Sequence, residues 1–338
     1  MLGITYGELG DYRNAESELR EALRVGADVP LPYANLGMTL LAANKFSELH
    51  KLLGDAKSKG LDDNSPVHEL RFEVALVTSD AAALADEQVW SQQTSDQMAA
   101  AIMQLEGEVE SGRRSDAQSS TNWAIKIAAR ANMRDAAAYA LLYEAWAEAL
   151  WGETTEPIHT AQIANDSCKS TQCRSFGARI FAMAGATDKS RQLSAGLTKS
   201  RPKDVLLNSV SVPLVQSLLA YKAGQGELAL RAQDALRPFD FGSIAGVTAA
   251  YIRGLAFEQL HKPQDAIKEF QSILDHEGLG SVAPERVLAY LQLGRCYVAS
   301  RNVEKGRAAY QHFLTLWKEA DPDIPILKQA KAEYAKLQ

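Results

Sequence analysis

The most constraining feature of this sequence is a recurring glycine frame. Gly3 and Gly37 stand 34 residues apart, and each is followed by a large apolar residue three places later and by another sixteen places later. The same frame recurs near the other end of the chain, around Gly254 and Gly294. A period of this length is typical of a helical hairpin repeated along a chain. Because one such hairpin cannot bury its apolar face alone, the repeats must stack on one another.

The glycine of each frame marks the place where the two helices of a hairpin cross. Without a side chain there, the backbones approach closely, and the larger residues further along fill the remaining space. Four sets carry the frame: Gly3-Tyr6-Ala15-Leu19, Gly37-Leu40-Leu49-Leu53, Gly254-Phe257-Ala266-Phe270 and Gly294-Tyr297-Gly306-Tyr310. These sets resemble the tetratricopeptide repeat family. Two positions, Leu49 and Gly306, depart from its usual alanine, and the last two glycines are 40 residues apart, so an insertion falls at 275–280.

The rest of the chain also has the periodicity of helices. Apolar residues recur at steps of three and four in nearly every segment longer than ten residues, and glycine- or proline-containing breaks separate these segments. No alternating apolar–polar run bounded by turn signals indicates a strand. We therefore predict an all-α protein of seven or eight antiparallel helical hairpins. The family resemblance implies that they form a right-handed superhelical solenoid with a C-terminal capping helix.

The clarity of the repeat pattern divides the chain into three regions. We assign 1–64 to N-terminal tetratricopeptide repeats, 65–204 to degenerate helical hairpins, and 205–338 to C-terminal repeats ending in a capping helix at 325–337. One continuous solenoid is expected across all three. Because Gly3 would occupy the eighth place of its unit, about seven residues of the first helix are missing. This truncated first repeat predicts either a fragment of a longer chain or a sequence whose start is misplaced.

Charge and hydropathy exclude several functional classes. The formal net charge is −6, so the chain lacks the positive field that non-specific nucleic-acid binding requires. It contains no run of about 18 apolar residues that would span a bilayer, and its start lacks the basic and apolar regions of a signal peptide. We therefore expect no nucleic-acid partner and no membrane span in this chain.

No residue pattern predicts catalysis, a cofactor or a metal. Gly224-Gln225-Gly226 matches a loose dinucleotide fingerprint, but a functional fingerprint follows a strand, and here a helix precedes it. Cys168 and Cys173 are five residues apart. Two unpaired thiols are the simpler interpretation, and a local disulfide in an oxidising compartment is the alternative. We predict no catalytic residue, no cofactor, no metal site and no enzymatic activity.

The resemblance also implies where a protein or peptide partner would bind. In the family, peptides lie in the concave groove formed by the first helix of each unit. Transferred to this chain, the groove positions are Met38, Leu41, Thr248, Tyr251, Leu255, Glu258, Leu288, Leu291, Arg295 and Val298. This predicted groove is largely apolar, which suits an extended or helical peptide with hydrophobic anchors. The lysine–asparagine clamp of the chaperone-binding members is absent.

The closing part of the chain has a narrower resemblance. Leu274–Leu279 and Ala309–Tyr334 are similar to the C-terminal repeat region of soil-bacterial serine/threonine protein kinases of eukaryotic type, and of related winged-helix regulators. This implies the sensory or docking part of a signalling protein. A winged-helix transcriptional regulator and a free-standing adaptor remain alternatives. The kinase catalytic motifs are missing. The implied location is cytoplasmic, or extracytoplasmic if a kinase and a membrane segment precede this chain.

Overall fold

A computed structural model describes residues 2–337, and all of their regular structure is helical. None of these residues lies in a β-strand, so the all-α prediction is confirmed. A π-helical turn at Leu207–Ser211 and a 3-10 segment at Asp234–Phe239 accompany the α-helices. The α-helices are α1 (Leu2–Glu8), α2 (Tyr12–Val25), α3 (Pro30–Ala42), α4 (Phe46–Ser58), α5 (Ser65–Thr78), α6 (Ala81–Gln93), α7 (Gln97–Glu110), α8 (Arg114–Ala131), α9 (Arg134–Trp151), α10 (Thr155–Ser167), α11 (Thr171–Met183), α12 (Thr187–Ser200), α13 (Val212–Lys222), α14 (Gly226–Ala232), α15 (Thr248–Gln259), α16 (Pro263–Asp275), α17 (Pro284–Ala299), α18 (Val303–Leu316) and α19 (Pro325–Ala335).

Successive helices pair into hairpins, and the hairpins stack in chain order. The short connections within each pair favour antiparallel neighbours. Between residues 2 and 337 there are nine such pairs, from α1–α2 to α17–α18. The sequence-based count of seven or eight was therefore too low, because the eroded repeats of the middle region hide their pairing. The last helix, α19, has no partner of its own and packs against α18 and α9.

Short polar residues fix where the helices of the middle region begin. Asn64, Asp80 and Asp96 are the N-cap residues of α5, α6 and α7, and each accepts a hydrogen bond from a backbone N–H in the first turn. Such caps satisfy donors that have no partner within the helix. The helix starts are therefore encoded locally even where the glycine frame is lost.

The structure explains the glycine frame in three of the four repeats. There, the apolar residue sixteen places on lies directly over the glycine, where an added Cβ would meet it. The distance from the added Cβ to the nearest side-chain atom would be 2.7 Å for Gly3 and Leu19, 2.5 Å for Gly254 and Phe270, and 2.8 Å for Gly294 and Tyr310. Gly37 differs, because Leu70 of the next hairpin occupies the space over it.

The late part of the stack returns to the early part and closes on it. The Tyr12 hydroxyl donates a 2.6 Å hydrogen bond to the backbone oxygen of Phe241, and Ser243 N–H donates one of 3.1 Å to Gly7 O. One step further, the Asn44 side chain donates to Asp275 O at 2.7 Å and accepts from Gly278 N–H at 3.1 Å. The predicted insertion at 275–280 is therefore one of the joints of this closure.

The closure continues along the middle of the chain. The Trp146 indole donates a 3.1 Å hydrogen bond to Glu285, and the Trp317 indole donates one of 3.0 Å to the backbone oxygen of Glu110. The carboxylate of Glu110 forms a buried ion pair with Arg286. As a result, one apolar cluster extends from Met98 to the C-terminal helices, and a second, smaller one lies within residues 19–74. The proposed boundaries at 64 and 204 remain predictions.

Between residues 2 and 337, no helix is both long enough and apolar enough to cross a membrane.

Gly278 provides a test of the closure. A Cβ at this position would overlap the backbone oxygen of Leu41, which has no freedom to move aside. We expect Gly278→Ala to destabilise the fold by about 1–3 kcal/mol, the usual cost of overpacking. Hydrogen exchange should accelerate at the α3–α4 turn and in the loop 276–283. The control is Gly280→Ala, whose Cβ would meet side-chain atoms alone, of which the nearest is a Val247 methyl carbon at 3.2 Å. Equal exchange in both variants would contradict the closure.

Candidate functional site

Two cavities meet at Tyr139 on α9 and together form the candidate site, which we call the central groove. The first, about 720 Å³, lies between α9, α11 and the segments 204–211 and 243–244. We call it the arginine cavity because Arg179 lies in its wall. The second, about 420 Å³, lies between α5, α7 and α9, and we call it the acidic cavity. Tyr139 is 40% exposed and borders both.

Four carboxyl groups line the acidic cavity: Glu69, Glu73, Asp96 and Glu106. Hydroxyl groups donate hydrogen bonds to three of them, and the backbone N–H of Ala99 also donates to Asp96. Tyr139 donates to Glu106 at 3.0 Å, Ser65 donates to Asp96 at 2.6 Å, and Ser281 donates to Glu73. Among residues 2–337, no lysine, arginine or histidine forms an ion pair with any of the four.

The lack of a cation changes the protonation of this cluster. Burial raises the pKa of Glu73 to about 7, and the neighbouring charge of Glu69 adds to this. Burial and the nearby Glu73 carboxylate also hold the pKa of Glu106 well above its ordinary value. A desolvated carboxylate without a cation is costly, so the cluster retains protons or accepts a cationic group from outside.

The arginine cavity differs in containing a cation without an ion-pair partner, besides the acidic residues Glu8, Asp135 and Asp204 in its wall. The guanidinium of Arg179 stacks over the Phe176 ring at 5.2 Å, and burial lowers its pKa to about 10. Within the described chain, Arg179 forms no hydrogen bond and no ion pair, and its Nε is buried without a partner. The hydroxyl of Ser175 on the same wall is buried and unpartnered as well. The central groove thus has an unneutralised cation at one end and unneutralised carboxyl groups at the other.

Cys168 and Cys173 form a disulfide in the structure, with their Cα atoms 6.4 Å apart. It replaces the simpler interpretation of two unpaired thiols. The bond joins the end of α10 to the first turn of α11, and Cys173 lies in the wall of the arginine cavity. The remaining cysteine, Cys296, is buried as a free thiol. Residues 2–337 contain no cluster of His, Cys, Asp and Glu arranged to hold a metal ion.

The structure does not bring the ten predicted groove positions together on one open surface. Six are buried in the interior of the chain: Leu41, Thr248, Tyr251, Leu255, Leu288 and Leu291. Thr248 donates a 2.7 Å hydrogen bond to the buried Glu285, and Tyr251 accepts one of 3.0 Å from Gln292. These side chains therefore already have partners within the fold.

The other four predicted positions are at least partly accessible. Arg295 is paired with Glu333 of α19 at 2.9 Å, and Glu258 accepts a hydrogen bond from the Cys296 thiol at 3.3 Å. Val298 packs beside Gly306 of the adjoining helix. Met38 is 39% exposed, on a different part of the molecule from the central groove. The peptide-binding role of the ten positions remains a prediction.

Sequence reasoning missed the central groove because its helices belong to the degenerate region. One signal was nevertheless available. Arg179 is the only charged residue in the apolar run 176–184 of α11. A charge inside an apolar helical run is rarely buried without a partner, so its position could have indicated a binding site. Tyr139 and Glu106, by contrast, lie in helices whose composition gives no such signal.

Comparison with known proteins adds a local match and two distant structural likenesses. The tetratricopeptide repeat family model matches residues 1–25, which contain the first hairpin. The crystal structure of the P58(IPK) TPR domain aligns with 100% of this chain and 97% of its own, at 14% identity and a TM-score of 0.32. Yeast Tom70 aligns with 99% of this chain and 94% of its own, at 11% identity and a TM-score of 0.35. No curated protein sequence matches the chain.

The chain is thus an all-α helical-hairpin protein whose first hairpin matches a tetratricopeptide repeat. Beyond residues 1–25 the architecture is known from the helices of the structure and not from a family match.

Proposed function

We propose that this chain is a non-enzymatic protein–protein interaction module that binds a peptide segment of a partner protein in the central groove. The observation that carries the proposal is the charge arrangement around Tyr139. An exposed aromatic ring lies between an unpaired guanidinium and a cluster of unpaired carboxyl groups. Tyrosine and arginine are the residue types that dominate binding energy at protein interfaces.

The groove also suits a peptide better than a compact small molecule. Its two cavities, about 720 and 420 Å³, follow one another across the first helices of neighbouring hairpins. An extended segment spans such a surface and places side chains into both. The two ends offer different groups, a guanidinium in one cavity and a carboxyl cluster in the other, and this difference would fix its direction, because electrostatic complementarity sets register and orientation.

We further propose a signalling context, namely the sensory or docking part of a bacterial serine/threonine kinase-type protein. The support is the resemblance of Leu274–Leu279 and Ala309–Tyr334 to the repeat region of such kinases. The DNA upstream of the codon for Met1 provides the test. An adjoining kinase domain in the same reading frame is the expected result. A winged-helix domain or a complete frame without either domain would overturn this context in favour of a regulator or an adaptor.

The binding proposal is tested by selecting peptides from a random display library against the purified chain. For a selected peptide, we expect Tyr139→Ala to weaken binding by about tenfold or more, the loss typical of an interface tyrosine. Fluorescence anisotropy with a labelled peptide measures the dissociation constant. The matched control is Met38→Ala, which removes a similarly exposed side chain at a predicted groove position outside the central groove.

The two variants separate the two locations. Unchanged binding in Met38→Ala and weakened binding in Tyr139→Ala support the central groove. The reverse result would favour the sequence-derived groove and overturn the present location. Failure to select any peptide that binds the folded chain would overturn the binding function itself.

A further inference from the structure

Arg179 is partly buried, and it differs from the two fully buried arginines, Arg253 and Arg286, in having no acidic partner. Arg253 is held by Glu269 at 2.9 Å and by Asp240 at 3.0 Å, and Arg286 is held by Glu110. Arg179 has no such partner anywhere in residues 2–337. The charge of the Glu285 carboxylate raises the pKa of Arg179, against the lowering by burial, but the two residues form no ion pair.

Glu285 is also engaged elsewhere. It accepts hydrogen bonds from the Trp146 indole at 3.1 Å and from the Thr248 hydroxyl at 2.7 Å. Its carboxylate therefore has two neutral donors and does not neutralise the guanidinium directly. Because a buried donor without an acceptor is costly, the unpartnered Nε of Arg179 lowers the stability of the fold. This cost is expected where a ligand supplies the missing acceptor.

The guanidinium is oriented for an incoming group. Its Nε is buried, whereas its two terminal nitrogens are not among the buried atoms and remain open to the arginine cavity. The guanidinium lies over the Phe176 ring, a cation–π contact that favours this position. A guanidinium fixed in this way presents a planar pair of N–H donors, which matches the two oxygens of a carboxylate.

The remaining wall narrows the chemistry of that ligand. Apolar side chains on the wall include Leu142, Leu207 and Ile244. Three acidic residues are also present: Glu8, Asp135 and Asp204. A phosphate carries nearly two negative charges and would be repelled by these three carboxylates. A single carboxylate attached to an apolar group meets less repulsion and uses the apolar surface.

We propose that Arg179 is the carboxylate-binding residue of the central groove, where it takes one carboxylate of a partner peptide. The carboxylate comes from an acidic side chain or from the chain terminus, and the apolar wall takes the adjoining side chain. This inference rests on the proposed peptide-binding function and specifies one of its contacts.

The test uses the full chain and four small probes. N-acetyl-phenylalanine offers a terminal carboxylate, and the α-amide of N-acetyl-glutamic acid offers a side-chain carboxylate. N-acetyl-phenylalanine amide has no charge, and phenyl phosphate offers a phosphate. The readout is the Nε–Hε NMR signal of Arg179, assigned by its loss in Arg179→Lys. We expect saturable shifts with one or both carboxylates, a weaker response to phenyl phosphate and none to the amide.

Variants connect this signal to peptide binding. We expect Arg179→Met to weaken a selected peptide by about tenfold or more, as loss of a charged hydrogen-bonded contact does, and Arg179→Lys to retain part of the affinity. The control is Arg174→Met, which removes a half-buried arginine from the same helix outside the cavity. Arg179→Met should melt at the temperature of the wild type or above it, because it removes a partly buried charge that has no ion-pair partner.

Three results would overturn the proposal. These are an Arg179 signal unaffected by either carboxylate, a stronger response to phenyl phosphate, or an Arg179→Met variant that melts several degrees lower and still binds peptide normally. The last result would make Arg179 the counter-charge of Glu285. If Tyr139→Ala abolishes peptide binding and Arg179→Met does not, the proposed function stands and this subsite fails. If the carboxylates shift Arg179 but no peptide is selected, the subsite stands without the peptide function.

Discussion

Replacement of Leu291 with glutamate is expected to unfold the chain. Leu291 is 0% exposed on α17, in the largest apolar cluster. The substitution removes a buried leucine and places a carboxylate where the surrounding cluster is apolar. Each of these changes is among the most destabilising known, and together they should lower the free energy of unfolding by about 4 kcal/mol or more.

Urea denaturation followed by far-UV circular dichroism measures this loss. The matched control is Met38→Glu, the same charge placed at another predicted groove position that is 39% exposed. We expect its free energy of unfolding to stay within about 0.5 kcal/mol of the wild type. A Leu291→Glu protein with the wild-type urea midpoint and no peptide binding would contradict the burial and support the sequence-derived groove.

This contrast shows which part of the fold could be predicted from sequence. The glycine frame predicted helical hairpins because its contacts are local. Gly254 and Phe270, for example, are sixteen residues apart and belong to one hairpin. The closure joins residues far more distant, such as Asn44 and Asp275, through a turn and a loop that carry no repeat signal. The spacing from each glycine therefore located the first helix of a hairpin. It gave no information on which other parts of the chain bury that helix.

The burial of α17 explains why its predicted groove positions are not accessible. Its buried residues lie all around the helix and include Glu285, Arg286 and Gln292 besides the leucines. A helix that is buried on every side has no face left for a groove. The candidate site was not predicted because its residues come from several hairpins of the region 65–204. There the glycine frame is lost, so the sequence does not show which residues of neighbouring hairpins face each other. Only the isolated charge of Arg179 distinguished its helix.

A second large effect is expected at the ion pair between Arg286 and Glu110. Both side chains are 8% exposed, and they join α17 to the C-terminal end of α7. Arg286→Met leaves the Glu110 carboxylate buried without its cation, which should cost about 3–5 kcal/mol of unfolding free energy. The double variant Glu110→Leu with Arg286→Met should recover most of the loss, because apolar residues replace such pairs well. Arg237→Met, at an arginine that is 51% exposed, is the control and should change little.

The pH dependence of Arg286→Met distinguishes an uncompensated charge from lost packing. Burial raises the pKa of Glu110 to about 7 in the folded chain, and the Arg286 charge opposes this rise. Without Arg286 the folded pKa rises further above the unfolded value of about 4.3. The destabilisation from a carboxyl group with a raised folded pKa is absent below the unfolded pKa, grows between the unfolded and the folded pKa, and is constant above the folded pKa. Wild type and variant therefore share this penalty up to the wild-type folded pKa of about 7, and the penalty of the variant continues to grow above it. The stability deficit of Arg286→Met relative to the wild type should therefore be small near about pH 5 and larger near about pH 8.

Urea unfolding of both proteins at the two pH values measures this deficit. A deficit that is equal at both pH values would show that the loss comes from packing, because a missing methylene group does not titrate.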